Sequence, residues 1–167
     1  MDQEIKSAVN DIMQACKSLN SMIFPQDETG TKLANEVIAD LCRYIVHLTL
    51  ADGVMTGDEL QAINYYFDTN YTAGDIQEYS EAEETTADGS AVSIPLSFNY
   101  FIRIDNMFFE EQEMVTGYSK GLTELYKKLG MDIICCDSDQ DMTEYKVYND
   151  YIQMLEDFAQ ANLNSEA

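Results

Sequence analysis

The side chains best suited to chemistry in this chain are carboxylates, and they gather in two short stretches. "ADGVMTGDEL", residues 51–60, and "CDSDQDMTEY", residues 136–145, align without a gap at an offset of 85. Asp52 falls over Asp137 and Glu59 over Glu144, while Asp139 adds another acid to the second stretch. Clusters of hard oxygen donors suit Ca²⁺ or Mg²⁺. The candidate metal ligands are therefore Asp52, Glu59, Asp137, Asp139 and Glu144, and the candidate cofactor is a divalent cation.

The spacing does not make either stretch an EF-hand. Such a loop takes oxygens from positions 1, 3, 5 and 12 and needs glycine at 6. With Asp52 at position 5, Gly53 and Glu59 fit, but positions 1 and 3 fall on Leu48 and Leu50. Counting from Asp137 places Tyr148 at position 12, and Ser138 stands where the first stretch has its glycine.

A second use of the same acids is local. Thr56 followed three residues later by Glu59 spells a capping box, and Asp141 followed by Glu144 spells another. In that device each side chain accepts from a free backbone N–H at a helix start. Carboxylates in a first helical turn also gain from the helix dipole, by about 0.3–1 kcal/mol. Capping accounts for Glu59 and Glu144 without a metal, but not for the matched pair Asp52 and Asp137 or for Asp139.

Catalytic constellations are sparse. The single histidine, His47, lies in the middle of an apolar helical pattern, where packing is the ordinary use. Nucleophile-elbow, P-loop and dinucleotide fingerprints do not occur. The reading is of a protein that binds and does not turn over a substrate.

The elements that would position these loops are helices. Ile5, Val9, Ile12, Cys16 and Leu19 recur at steps of three and four over residues 2–23, and "FPQDETG" ends that run. Leu33, Val37, Leu41, Ile45 and Leu48 form a second helix, apolar on most sides and so expected at the centre, ending at Asp52-Gly53. Residues 58–67 make a third, and "TAGDIQEY" begins a short fourth. Residues 80–90, "SEAEETTADGS", hold no large apolar side chain, which predicts a flexible acidic loop. Pro95 suits a first helical turn, with Leu96, Tyr100, Phe101, Ile104 and Phe108 on one stripe, and "AVSIPLSF" also permits a strand at 91–94. One long or two short helices follow over 110–135, with Met114, Leu122, Leu125, Tyr126, Leu129 and Ile133 buried and Gly117, Gly121 and Gly130 as possible breaks. A last helix runs from Thr143 to about Leu163.

The apolar pattern on both sides of the acidic stretches also matches at the offset of 85, Leu48 over Ile133, Tyr66 over Tyr151 and Phe67 over Ile152, which reads as an internal duplication. The expected architecture is all-α: one helical domain over 1–167, about seven to eight helices in a compact bundle, with related halves at about 32–79 and 93–163 and the acidic loop 80–90 between them.

Composition bounds the partners. With 31 acidic residues against 9 basic ones, the formal charge is −22, and no Lys or Arg occurs between Arg43 and Arg103. Such a surface repels nucleic acid and anionic lipid and attracts divalent cations and basic protein patches. No run approaches the length of a membrane span, no secretory leader is spelled at the start, and the four cysteines form no CxxC pair. The expectation is a cytoplasmic protein with reduced core thiols and a basic protein partner, without nucleic acid or membrane.

The run "IVHLTLADGVMTGDELQAI", an apolar helix entering A-D-G-x-x-x-x-x-E-L and leaving as a second apolar helix, resembles the TerB-like (tellurite-resistance B) helical domains. The resemblance implies an all-helical regulatory or adaptor domain, linked to stress-response systems, that chelates a metal through acidic residues. It would make Asp52 and Glu59 ligands, with Asp137 and Glu144 as counterparts. "SIPLSFNYFIRIDNMFF" and "LTELYKKLGMDIICCDS" also resemble segments ahead of AAA+ ATPase modules in bacterial proteins. The alternative is a purely structural interaction domain, for example one associated with such an ATPase, whose acidic loops are only helix caps and whose function lies in its aromatic and acidic faces.

Overall fold

In the computed structural model, the residues described are 2–49, 56–76, 78, 93–135 and 142–164, and all of their regular structure is helical. Helix α1 spans Gln3–Ile23, α2 Lys32–Thr49, α3 Gly57–Phe67, α4 Leu96–Gln112, α5 Tyr118–Cys135 and α6 Met142–Asn162, with a short helical turn at 73–76. The all-α bundle expected from the apolar periodicity is the fold.

Each helix forms because an apolar stripe recurs at helical spacing, and a polar group closes the starts of α1 to α5. Asp2 caps α1 by accepting the Glu4 N–H (2.8 Å), and Ile5, Val9, Cys16 and Leu19 face inward. Helix α2 is the centre of the bundle and packs against all five other helices. Val37, Leu41, Ile45 and Leu48 on it are wholly buried. Burying a side chain of that size is worth about 1.5–3 kcal/mol relative to exposure. Gly30, with φ 69°, makes the left-handed turn between α1 and α2 that L side chains avoid.

Gly130 has the opposite role to the helix break its type suggests. It lies inside α5, where a Cβ would stand 2.7 Å from Tyr148 Cδ2 and closer still to the Tyr44 hydroxyl. The missing side chain lets α2 approach α5, and the Tyr44 O–H donates to the Tyr126 carbonyl (3.0 Å). Around it Tyr44, Tyr126 and Tyr151 make a buried aromatic cluster, with ring centroids 4.8 Å (Tyr44–Tyr126) and 4.5 Å (Tyr44–Tyr151) apart.

Other details differ from the reading of the sequence. Helix α5 starts at Tyr118, Gly117 lies ahead of it, and Gly121 is an ordinary exposed helical position. Met114 and Leu96 are each 49% exposed, because residues 113–117 form a non-helical link and the inward face of α4 is set by Phe98, Phe101 and Ile104. Pro95 is the N-cap of α4, one residue before its first turn. Ser93 and Ile94 are non-helical and form no strand. Cys16 and Cys42 are buried thiols, as expected, but Cys135 ends α5 in an exposed position, with Sγ 3.9 Å from the Tyr145 hydroxyl. The loop 80–90 lies outside the described residues.

The offset of 85 carries into the helices. Shifted by that amount, α2 lies over α5 with both ends matching to within one residue, and Gly57 at the start of α3 falls on Met142 at the start of α6. The register reaches further back than the acidic stretches: Cys16 falls on Phe101, Leu19 on Ile104 and Asn20 on Asp105, all six buried.

Candidate functional site

The acidic stretches meet the described structure at two glutamates. Glu59 is the third residue of α3 and 1% exposed. Its carboxylate accepts the Thr56 N–H (2.7 Å), and the Glu59 N–H donates to Thr56 Oγ1 (3.2 Å), closing the capping box read from the sequence. Glu144 is likewise the third residue of α6 and 1% exposed. Asp52, Asp137, Asp139 and the proposed cap Asp141 lie outside the described residues. Among the described residues, no group of three or more His, Cys, Asp or Glu side chains is arranged to hold a metal ion.

Two further buried carboxylates, unremarked in the sequence, serve helix starts as Glu59 does. Asp40, in the interior of α2, accepts the Ser97 N–H (2.9 Å) and Ser97 O–H (2.6 Å) at the start of α4, where Pro95 offers no side-chain cap. Arg43, 2.8 Å away, pairs with its other oxygen. Asp105, in α4, accepts from Thr116 Oγ1 (2.6 Å), Tyr118 N (3.1 Å), Ser119 N (2.9 Å) and Ser119 Oγ (2.5 Å) at the start of α5. Asn20 does this for α2, where its Oδ1 accepts the Leu33 N–H (2.9 Å) and its Nδ2 donates to Asp27 (3.1 Å). Asp40 and Asp105 reach helix starts that the local sequence leaves open, and Asn20 completes one that Asp27 begins by accepting the Lys32 N–H (3.0 Å), meeting the need of buried N–H groups for an acceptor. No local motif announces them, since the capped residues stand 13 to 57 positions away.

The titrating groups fit a structural setting. Hydrogen bonds from Thr29 and the Lys32 backbone lower Asp27 to about 2, so it stays ionised while closing the turn into α2. His47 is half-buried in the last turn of α2, with its ring 6.1 Å from that of Tyr151, and desolvation lowers its pKa. A neutral imidazole in aromatic packing is the result. Desolvation raises the Tyr66 phenol, whose hydroxyl donates to Asp132 and accepts the Asp2 N–H (2.9 Å), tying α3 to α5 and to the start of α1.

What remains for recognition is the surface. Lys6, Arg43, Lys127 and Lys146 are already engaged by acids of the chain, and even if every cation neutralised one acid the charge would still be −22. Tyr65 is half-covered by Lys6, whose ammonium lies 5.6 Å from the ring centroid, and Asn99 faces out from α4. An open groove of about 600 Å³ lies along α6, with Ile94, Met154 and Phe158 forming apolar wall and Asp150 and Asp157 bordering it. Among the described residues no helix is long and apolar enough to cross a membrane. Compared with known proteins, the chain matches no protein-family model, no curated protein sequence and no solved structure.

Proposed function

We propose that this chain is a non-catalytic interaction module that presents an acidic helical surface to a basic protein partner. One observation carries the reading: the buried carboxylates Asp40, Glu59 and Asp105 are each engaged at a helix start, leaving the exposed acids as the chemistry available to a ligand. A surface of that charge attracts cationic patches and speeds their encounter. The resemblance to TerB-like domains supports a regulatory or adaptor setting of this kind.

The experiment is a binding titration, followed by fluorescence anisotropy, of a synthetic helical peptide with a leucine stripe flanked by lysines. An analogue with glutamate in place of lysine is the comparison. The reading expects salt-sensitive binding of the lysine peptide and none of its analogue; equal behaviour of the two contradicts it.

A second reading, a divalent cation at the acidic stretches, is favoured by the matched burial of Glu59 and Glu144 beside them. Capping and coordination compete for the Glu59 carboxylate, which is the basis for separating the two.

A further inference from the structure

In the first half of the chain the opening turns of α1 lie against the end of α3. Lys6 Nζ donates to the carbonyls of Tyr65 (2.8 Å) and Tyr66 (3.3 Å) and pairs with Asp68 (2.7 Å), while Ile5 and Val9 are buried beside it. An amphipathic helical segment with one ammonium group thus fills that seat.

In the second half Ser93, Ile94 and Pro95 are not helical, whereas Ala8, Val9 and Asn10, their counterparts at the offset of 85, lie in α1. At the offset of 85, Leu96, where α4 begins, matches Asp11 and not Gln3, so α4 starts about two turns late at 3.6 residues per turn. Ile94 takes the register of Val9, and Asp150 and Gln153 take those of Tyr65 and Asp68. These three residues line the groove along α6. Its apolar surface comes from Ile94, Met154 and Phe158, half-buried against the core, and its border from the exposed acids Asp157 and Asp150, the latter in a loose pair with Lys146 (3.5 Å) at the surface.

We infer that this groove is a seat for an amphipathic basic helix of the partner, laid against α6 as the start of α1 is laid against α3. The inference rests on the proposed basic-partner reading and names its site. Charge selects the occupant. A second copy of the chain brings another −22, and residues 79–92 carry Glu81, Glu83, Glu84 and Asp88 with no Lys or Arg, so both are mismatched to Asp150 and Asp157. A helix with an apolar stripe and flanking lysines matches both the apolar wall and the acidic border.

The test uses the lysine–leucine peptide with the full chain and two charge-reversed variants. Asp150→Lys with Asp157→Lys alters the groove. Asp11→Lys with Glu28→Lys alters equally exposed acids outside it by the same net charge. The expected result is a loss of affinity of about tenfold or more in the groove variant against little change in the other, each factor of ten being about 1.4 kcal/mol. A shift of the Met154 methyl resonance on peptide addition accompanies it. Equal losses in both variants overturn the groove while leaving the acidic surface as a docking face; no binding to the unaltered chain overturns the broader reading as well. Dimerisation that buries the groove, or displacement of the lysine peptide by a peptide of residues 79–92, also overturns the inference.

Discussion

Asn20 and Asp105 stand 85 residues apart and hold the same backbone position: Asn20 Oδ1 accepts the Leu33 N–H, and Asp105 Oδ1 accepts the Tyr118 N–H, which lies 85 residues after Leu33. Each side chain closes the helix that follows its own, so α1 is joined to α2 as α4 is joined to α5. The carboxylate carries more of the load, because Asp105 also accepts from Thr116 and from both Ser119 donors.

Asp105→Ala leaves both buried Ser119 donors and the half-buried donors of Thr116 and Tyr118 without their acceptor. The expected cost is about 3 kcal/mol or more, at about 1–3 kcal/mol for each unsatisfied buried polar group. Asn20→Ala, with one N–H orphaned, is expected to cost about 1–2 kcal/mol. Urea unfolding of the two variants gives the comparison; a smaller loss for Asp105→Ala than for Asn20→Ala would contradict the assignment.

Gly130→Ala places a methyl group against Tyr44 and Tyr148 at a helix crossing. Overpacking of this kind typically costs about 1–3 kcal/mol, in spite of alanine's better helix propensity. Tyr44→Phe removes the oxygen nearest the new methyl and should recover part of the loss. A double-mutant cycle with no coupling would show that the two residues do not meet.

Glu113 ends α4 with φ 52°, a left-handed conformation that costs an L residue about 1–2 kcal/mol. Glu113→Gly removes that strain at an exposed position, less the entropy glycine adds to the unfolded chain. The net expectation is a gain of about 0.5–1 kcal/mol in chemical unfolding; a loss would mean that the turn is not held in this form.

His47 makes stability depend on pH. Desolvation lowers its pKa in the folded chain, so the unfolded chain binds the proton first as pH falls below its ordinary value of about 6.5. The folded state is thereby penalised progressively from there down to the folded pKa, and nothing is lost above pH 7. The contribution is read as the difference between the unaltered chain and His47→Gln, in which effects common to both chains cancel. That difference should move against the unaltered chain as pH falls from 7 to 5; a constant difference would contradict the burial of the imidazole.

The helices were legible in the sequence because their stripes repeat at helical spacing over many residues, and Val37, Leu41, Ile45 and Leu48 point to a central α2 without any knowledge of its neighbours. The Thr56–Glu59 box was legible because its partners are three residues apart. Asp40 and Asp105 were not, since each sits mid-helix among apolar residues and shows its purpose only when another helix start is brought to it. Gly130 was misread for the same reason: the close approach of α2 is a tertiary fact, and locally a glycine in a helix signals a break. Met114 was placed in the core by its type, but the link at 113–117 carries it outward.

The central observation is that the Glu59 carboxylate is engaged in a capping box at the start of α3, and the question it raises is whether a cation also uses it. The most direct measurement is the stability of the unaltered chain and of Glu59→Gln, each with chelator and each with Ca²⁺ or Mg²⁺ in excess. The account predicts that Glu59→Gln, whose amide oxygen still accepts the Thr56 N–H, costs only the charge's interaction with the helix dipole, about 0.3–1 kcal/mol, and the same amount in all conditions. Binding at this carboxylate would instead give the unaltered chain about 2.7 kcal/mol at a hundredfold excess over Kd, and a cation-dependent gain of that size absent from Glu59→Gln would contradict the account.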